Sequence, residues 1–124
     1  MINDLHDMGF KVMLWVCPFI SPDSDVYRQL KADGALLKNK DSLPAMIRWW
    51  NGASALLDFS NPQGFEWFDQ QLTYLTEHYQ VDGFKFDAGD AQYYKNITSF
   101  KDINPNEHSR LFGLFGLKYP LNKV

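Results

Sequence analysis

The chain has 124 residues, 45% of them hydrophobic and 22% charged, with 12 Lys+Arg against 15 Asp+Glu and a formal net charge of −3. With 10 Phe, 6 Tyr and 4 Trp against 8 Gly and 6 Pro, it is neither disordered, collagen-like nor low-complexity. Its scattered, outnumbered Lys and Arg argue against a nucleic-acid partner, and the lone Cys17 forbids an internal disulfide without naming a compartment, so localisation stays open.

Ile2, Leu5 and Met8 recur at helical spacing before Gly9, which suits the left-handed close of a helix. These first residues lack a basic segment followed by an apolar one, so no signal peptide is expected there. Phe10 to Cys17 is almost continuously apolar and stopped by Pro18, the pattern of a parallel-sheet strand buried on both faces. The longest apolar candidate, Val12 to Ile20, is strand-sized and far short of the roughly 18–20 residues of a membrane span. Ser24 is positioned to cap a short helix carrying Val26, Tyr27 and Leu30, ending at Asp33-Gly34, with Ala35-Leu36-Leu37 extended after it. Residues 38–55 read as irregular, too long for a bare connector, hence an active-site loop or insertion.

Asn61-Pro62 predicts a helix start, since Asn can accept from a free helix N–H and Pro fits the first helical position. Phe65, Phe68, Leu72, Leu75 and Tyr79 give that helix one apolar face. Val81 to Asp87 reads as a second strand ending in a carboxylate. Beyond a polar and aromatic stretch, Asn106 is expected to cap a last helix bearing Leu111, Leu114, Phe115 and Leu121. Helix, strand, helix, strand predicts an α/β fold with parallel strands, either a doubly wound sheet or a (β/α)8 barrel. A barrel takes about 250 residues. The chain also starts and stops inside helix-like patterns, so residues 1–124 are expected to be a fragment of one such domain. Such a piece exposes strand edges, which predicts aggregation or dependence on the remainder of the barrel.

Reacting groups of such folds sit at the C-terminal ends of the strands. Lys85 and Asp87 lie two apart at one such end and share a face, so the cation favours an ionised Asp87, suited to a nucleophile or electrostatic stabiliser rather than a general acid. Spacing alone favours a plain ion pair at a strand end. Trp15 and Trp49 taken alone read as packed aromatics, and Cys17 as a small buried hydrophobe. His6, His78 and His108 share no ligand spacing, so no metal is expected. Asn96-Ile97-Thr98 fits the glycosylation pattern, a short motif relevant only in a secretory compartment.

Gly-Phe-Lys-Phe-Asp-Ala-Gly-Asp over 83–90 resembles the nucleophile strand of glycoside hydrolase family 31. Leu14 to Ile20, Trp49-Trp50-Asn51-Gly52 and Asp58 to Pro62 resemble further stretches of that family in the same order. The resemblance covers essentially the whole chain. It implies a partial (β/α)8 TIM barrel covering about strands 3 and 4 with flanking helices, and a retaining α-glycosidase that needs no cofactor and acts on oligosaccharides or glycosides. It also implies Asp87 as catalytic nucleophile, Lys85 as a sugar-hydroxyl contact, Trp15 as a wall of the glycone subsite and Trp49 as an aromatic near the leaving group. The Lys-Phe-Asp-Ala-Gly-Asp pattern looks closer to α-xylosidase-like and α-galactosidase-like members than to maltase-like ones. Two departures stand out: Asp90 occupies a position where many members carry Glu, and Cys17 one where Asp or Asn is common. The family's acid/base Asp comes from a later loop, so Asp58, Asp90 and Asp102 are not assigned that role. Alternatives are a related α-galactosidase with a Lys-x-Asp strand, or a carbohydrate-binding protein without turnover.

Overall fold

Hydrophobic runs and caps set the element order. In the computed structural model, which describes residues 1–119, the chain runs α1 (Ile2–Asp7), β1 (Met13–Val16), β2 (Phe19–Ile20), α2 (Asp25–Ala32), β3 (Met46–Trp49), β4 (Gly52–Leu56), α3 (Pro62–Tyr79), β5 (Gly83–Phe86) and α4 (Pro105–Lys118). A 3-10 turn over Ala91–Tyr94 separates β5 from α4. Gly9, at φ +87°, follows α1 in the left-handed region expected of it.

β1 and β5 pair in parallel, Met13 opposite Gly83 and Trp15 opposite Lys85, with α3 lying between them in the chain. Leu14 and Val16 of β1, with Phe84 and Phe86 of β5, turn toward the main apolar core. The alternate residues Met13, Trp15 and Lys85 stand exposed. β1 is therefore not buried on both faces as its unbroken apolar run predicts: one face packs against the helices and the other lies open among the described residues.

The stretch expected to be irregular contains an antiparallel hairpin. β3 and β4 pair with Trp49 opposite Gly52, leaving Trp50-Asn51 as the connection, and β2 adds on the other side of β4. Leu36 bridges Leu57, so the extended piece predicted over 35–37 joins this layer. The hairpin covers a second apolar cluster of Phe19, Leu37, Leu56 and Tyr94.

Caps explain the helix starts. Ser24 accepts from the Tyr27 N–H, and Asn61 from the Gln63 N–H with Pro62 in the first turn, as the sequence predicts. The last helix starts earlier than expected: Asn104, not Asn106, is its cap and accepts from the Glu107 N–H, with Pro105 in its first turn. Phe112 and Phe115 carry its buried face; Leu121 lies outside the described residues. At the centre Phe59 meets Phe68, Phe112 and Phe115 with ring centroids 5.3–5.8 Å apart. No helix among the described residues is long and apolar enough to cross a membrane.

Candidate active site

The parallel pairing of β1 and β5 brings Trp15 and Asp87, 72 positions apart, to one strand end. The Asp87 amide donates to the Val16 carbonyl at 3.0 Å, which extends the ladder and fixes the backbone from which the carboxylate projects. Trp15 Nε1 then donates to Asp87 Oδ2 at 2.7 Å, and the Ala88 N–H donates to Oδ1 at 2.9 Å. Both oxygens are thereby oriented, while the side chain keeps 41% of its surface exposed, enough to meet a ligand.

Asp87 titrates below the usual carboxylate value of 3.8. The indole N–H of Trp15 is the first cause, the Ala88 N–H the second, and the Lys85 charge contributes least, against a partial desolvation that works the other way. Lys85 Nζ lies 4.0 Å from Oδ2 with its own side chain 70% exposed. Lys85 and Asp87 do share a face, as strand periodicity predicts, but an exposed ammonium at that range is a weak partner. The arrangement is a carboxylate kept ionised by fixed donors, beside a cation free to bind elsewhere.

Aromatic rings flank it. Trp15 lies parallel to Trp49 with centroids 6.4 Å apart, and Trp50 stands edge-on to both, at 6.0 and 4.9 Å. Trp49 is the anchored member: its Nε1 donates to Ser54 Oγ at 2.9 Å and Phe19 packs edge-on against it at 4.7 Å. Trp50, at the hairpin tip, is 73% exposed. Sequence reasoning singled out Trp49 and passed over Trp50. The Asn51-Gly52 pair next to it is a turn signal, although the turn itself falls on Trp50-Asn51, with Gly52 at φ +91° paired to Trp49.

Two other carboxylates, Asp58 and Asp82, are engaged elsewhere. Asp58 is buried and accepts from Ser60 N–H and Oγ and from Phe100 N–H, pinning the 98–101 segment to the start of α3. Asp82 accepts from the Val12 N–H and pairs with His6 at 2.8 Å, at the opposite end of β5 from Asp87. Cys17 is half-buried and desolvation raises its thiol, so it stays protonated at neutral pH. Among the described residues no cluster of three His, Cys, Asp or Glu side chains could hold a metal ion.

Residues 1–122 match the TIM-barrel domain of the glycosyl hydrolases family 31. The chain is 36% identical over 115 residues to the myogenesis-regulating glycosidase of Mus musculus, covering 90% of this chain and 16% of that protein. It is 27% identical over 114 residues to the alpha-xylosidase XylQ of Lactiplantibacillus pentosus, covering 92% and 15% respectively. It also superposes on the cycloalternan-degrading enzyme from Trueperella pyogenes in complex with a covalent intermediate, with a TM-score of 0.72 and 29% identity over 98% of this chain and 17% of that one. The chain thus spans about a sixth of the length of these relatives. A match running through 122 of the 124 residues, on a βα pattern whose strand ends gather Trp15, Lys85 and Asp87, places the chain in glycoside hydrolase family 31, with a fold drawn from its (β/α)8 barrel.

Proposed function

We propose that the chain is the nucleophile-bearing segment of a retaining α-glycosidase, β1 and β5 being the third and fourth strands of its barrel. The observation that carries this is the Asp87 carboxylate, ionised and oriented on both oxygens at a strand end, yet open to a ligand. A carboxylate nucleophile needs all three properties. Asp87 attacks the anomeric carbon of a terminal α-linked sugar, the glycosidic bond to the leaving group breaks, and a covalent glycosyl-enzyme forms. Water then displaces Asp87 and releases the sugar. The second carboxyl group, about 5–5.5 Å from the first, protonates the leaving oxygen and comes from another part of the barrel.

Lys85, exposed and only loosely tied to Asp87, is free to meet a sugar hydroxyl. Trp15 walls the glycone, and its N–H to Asp87 adds a second role that the sequence did not suggest. Trp50 offers the open ring for a leaving-group sugar, while Trp49, bonded to Ser54, sets the angle of the hairpin tip. The substrate is an oligosaccharide or glycoside, and the names of relatives such as XylQ favour an α-xyloside.

The test is to assay the full-length protein and its Asp87→Asn variant against aryl α-glycosides with an activated leaving group. Turnover of one glycoside, lost by several orders of magnitude in the variant, supports the reading and names the sugar. Equal turnover by the variant removes Asp87 from the nucleophile role. Binding of oligosaccharides with no turnover by either protein turns the reading into that of a sugar-binding relative.

A further inference from the structure

The backbone after Asp87 is held in an unfavourable shape. Ala88 sits at φ +62°, a left-handed conformation that a residue with a Cβ seldom adopts unless its surroundings enforce it. In that conformation its N–H reaches back to Asp87 Oδ1 at 2.9 Å, so one of the two bonds orienting the carboxylate depends on this turn. The enforcing contacts come from α4. Ser109 Oγ donates to the Gly89 carbonyl at 2.6 Å. The Phe112 ring lies so close to Gly89 that a Cβ there would meet its Cδ1 at 2.2 Å. The same ring packs edge-on against Phe86, with centroids 5.6 Å apart, so Phe112 touches the residue before Asp87 and the second residue after it.

We propose that Ser109 and Phe112 are positioning residues for Asp87: by gripping Gly89 they hold the Ala88 turn that orients the carboxylate. The inference rests on Asp87 being the nucleophile and names what fixes its geometry. α4 reaches the Asp87 backbone from both sides, through Gly89 after it and through Phe86 before it. Without the Ser109 bond the Gly89 carbonyl is released, Ala88 relaxes toward negative φ, and its N–H swings away from Oδ1. The carboxylate is then left with the Trp15 bond alone and a freely turning second oxygen. Small errors in the placement of a reacting group carry large rate penalties, of order a hundredfold for about 1 Å.

The test uses the full-length protein with Ser109→Ala, Ser109→Thr, Gly89→Ala and Asp87→Asn, measured for kcat, KM, the pH dependence of kcat/KM and thermal midpoint. Ser109→Ala is expected to lower kcat by about tenfold or more with KM within about twofold of the parent. The acidic limb of its kcat/KM profile moves to higher pH, because Asp87 loses a donor that holds its carboxyl down. Ser109→Thr, which keeps the hydroxyl, restores both, and Gly89→Ala shifts both in the direction of Ser109→Ala. A Ser109→Ala protein with the parent's kcat and acidic limb overturns the proposal while leaving the nucleophile reading intact, provided Asp87→Asn is inactive. So does a loss of activity that follows the thermal midpoint with the acidic limb unmoved. An active Asp87→Asn protein overturns both readings.

Discussion

The ionised state of Asp87 is set first by the Trp15 N–H and then by the Ala88 N–H, with the Lys85 charge the smallest contributor. Lys85 was legible as its neighbour because strand periodicity puts positions two apart on one face. Trp15 was legible as an aromatic at a strand end, but its bond to Asp87 spans 72 positions and exists only because β1 and β5 pair in register. No local pattern encodes that distance. The consequence is testable: Trp15→Phe, which keeps the ring and removes the N–H, should move the acidic limb of kcat/KM to higher pH further than Lys85→Met does. The sign follows from linkage. A carboxyl held below 3.8 by a donor rises when the donor is removed, so protonation of Asp87 begins at higher pH. An equal or larger shift from Lys85→Met would deny the Trp15 N–H its leading role. At the hairpin tip the rings separate by partner: Trp50→Ala should weaken binding of long substrates, read as a raised KM, with little change in stability. Trp49→Phe should instead lower the thermal midpoint, because it orphans Ser54 and loosens β3 from β4.

Elements announced by strong chemistry were readable, and those built from weak chemistry were not. Asn61-Pro62 combines a side-chain acceptor with a residue that needs no N–H, and α3 begins there. Asn104-Pro105 carries the same signal, and the choice of Asn106 placed the last helix two residues late because it weighed the cap without its proline. The hairpin was missed for a different reason. Gly52, Ala53, Ser54 and Ala55 have low strand propensity, so β4 owes its existence to pairing on both sides, with β3 and β2, rather than to its own composition. Asn61 also donates to the Gly34 carbonyl at 2.9 Å, tying α3 to the end of α2. Asn61→Ala should therefore destabilise the protein by about 1–2 kcal/mol, near the upper end for a cap, measured by denaturant unfolding. Gly64→Ala should be as damaging or worse, because its Cβ would meet the Asp58 carbonyl oxygen at 2.3 Å with backbone unable to retreat. A neutral Gly64→Ala would show that the start of α3 shifts more freely than this contact allows.

Over the whole molecule the surface is larger than its mass warrants. The chain exposes 7779 Å², against about 6,800 Å² for a compact monomer of its mass. Its exposed apolar side chains include Met13, Trp15, Met46 and Trp50 on the open face of β1 and the hairpin. The 124-residue chain expressed alone should associate or aggregate, which size-exclusion chromatography would reveal; a monodisperse monomer with cooperative melting would contradict this. The packed side holds a second global property. His108 is 1% exposed, stacked flat on Tyr94 with centroids 5.0 Å apart, and neither His108 ring nitrogen nor the Tyr94 hydroxyl has a hydrogen-bond partner among the described residues. Burial lowers the imidazole from its ordinary 6.5, with Asp58 and Glu107 only partly offsetting it, and raises Tyr94 beyond any physiological range. His108 is therefore neutral in the folded protein and takes up a proton more readily when unfolded. Where the unfolded chain binds more protons, stability rises with pH and is lost as pH falls, so the loss begins as pH drops through 6.5 and continues to the depressed folded value. Asp82 and Glu107, held below their ordinary values, add their own losses only in more acidic solution. In the full-length protein, His108→Phe keeps a flat ring against Tyr94 and removes the proton site. Its thermal midpoint should stay level between pH 7.5 and about 5.5 while the parent's declines. Parallel curves for the two proteins would mean that His108 is solvated or paired in the complete barrel, and that the acid limit of this fold lies with its carboxylates.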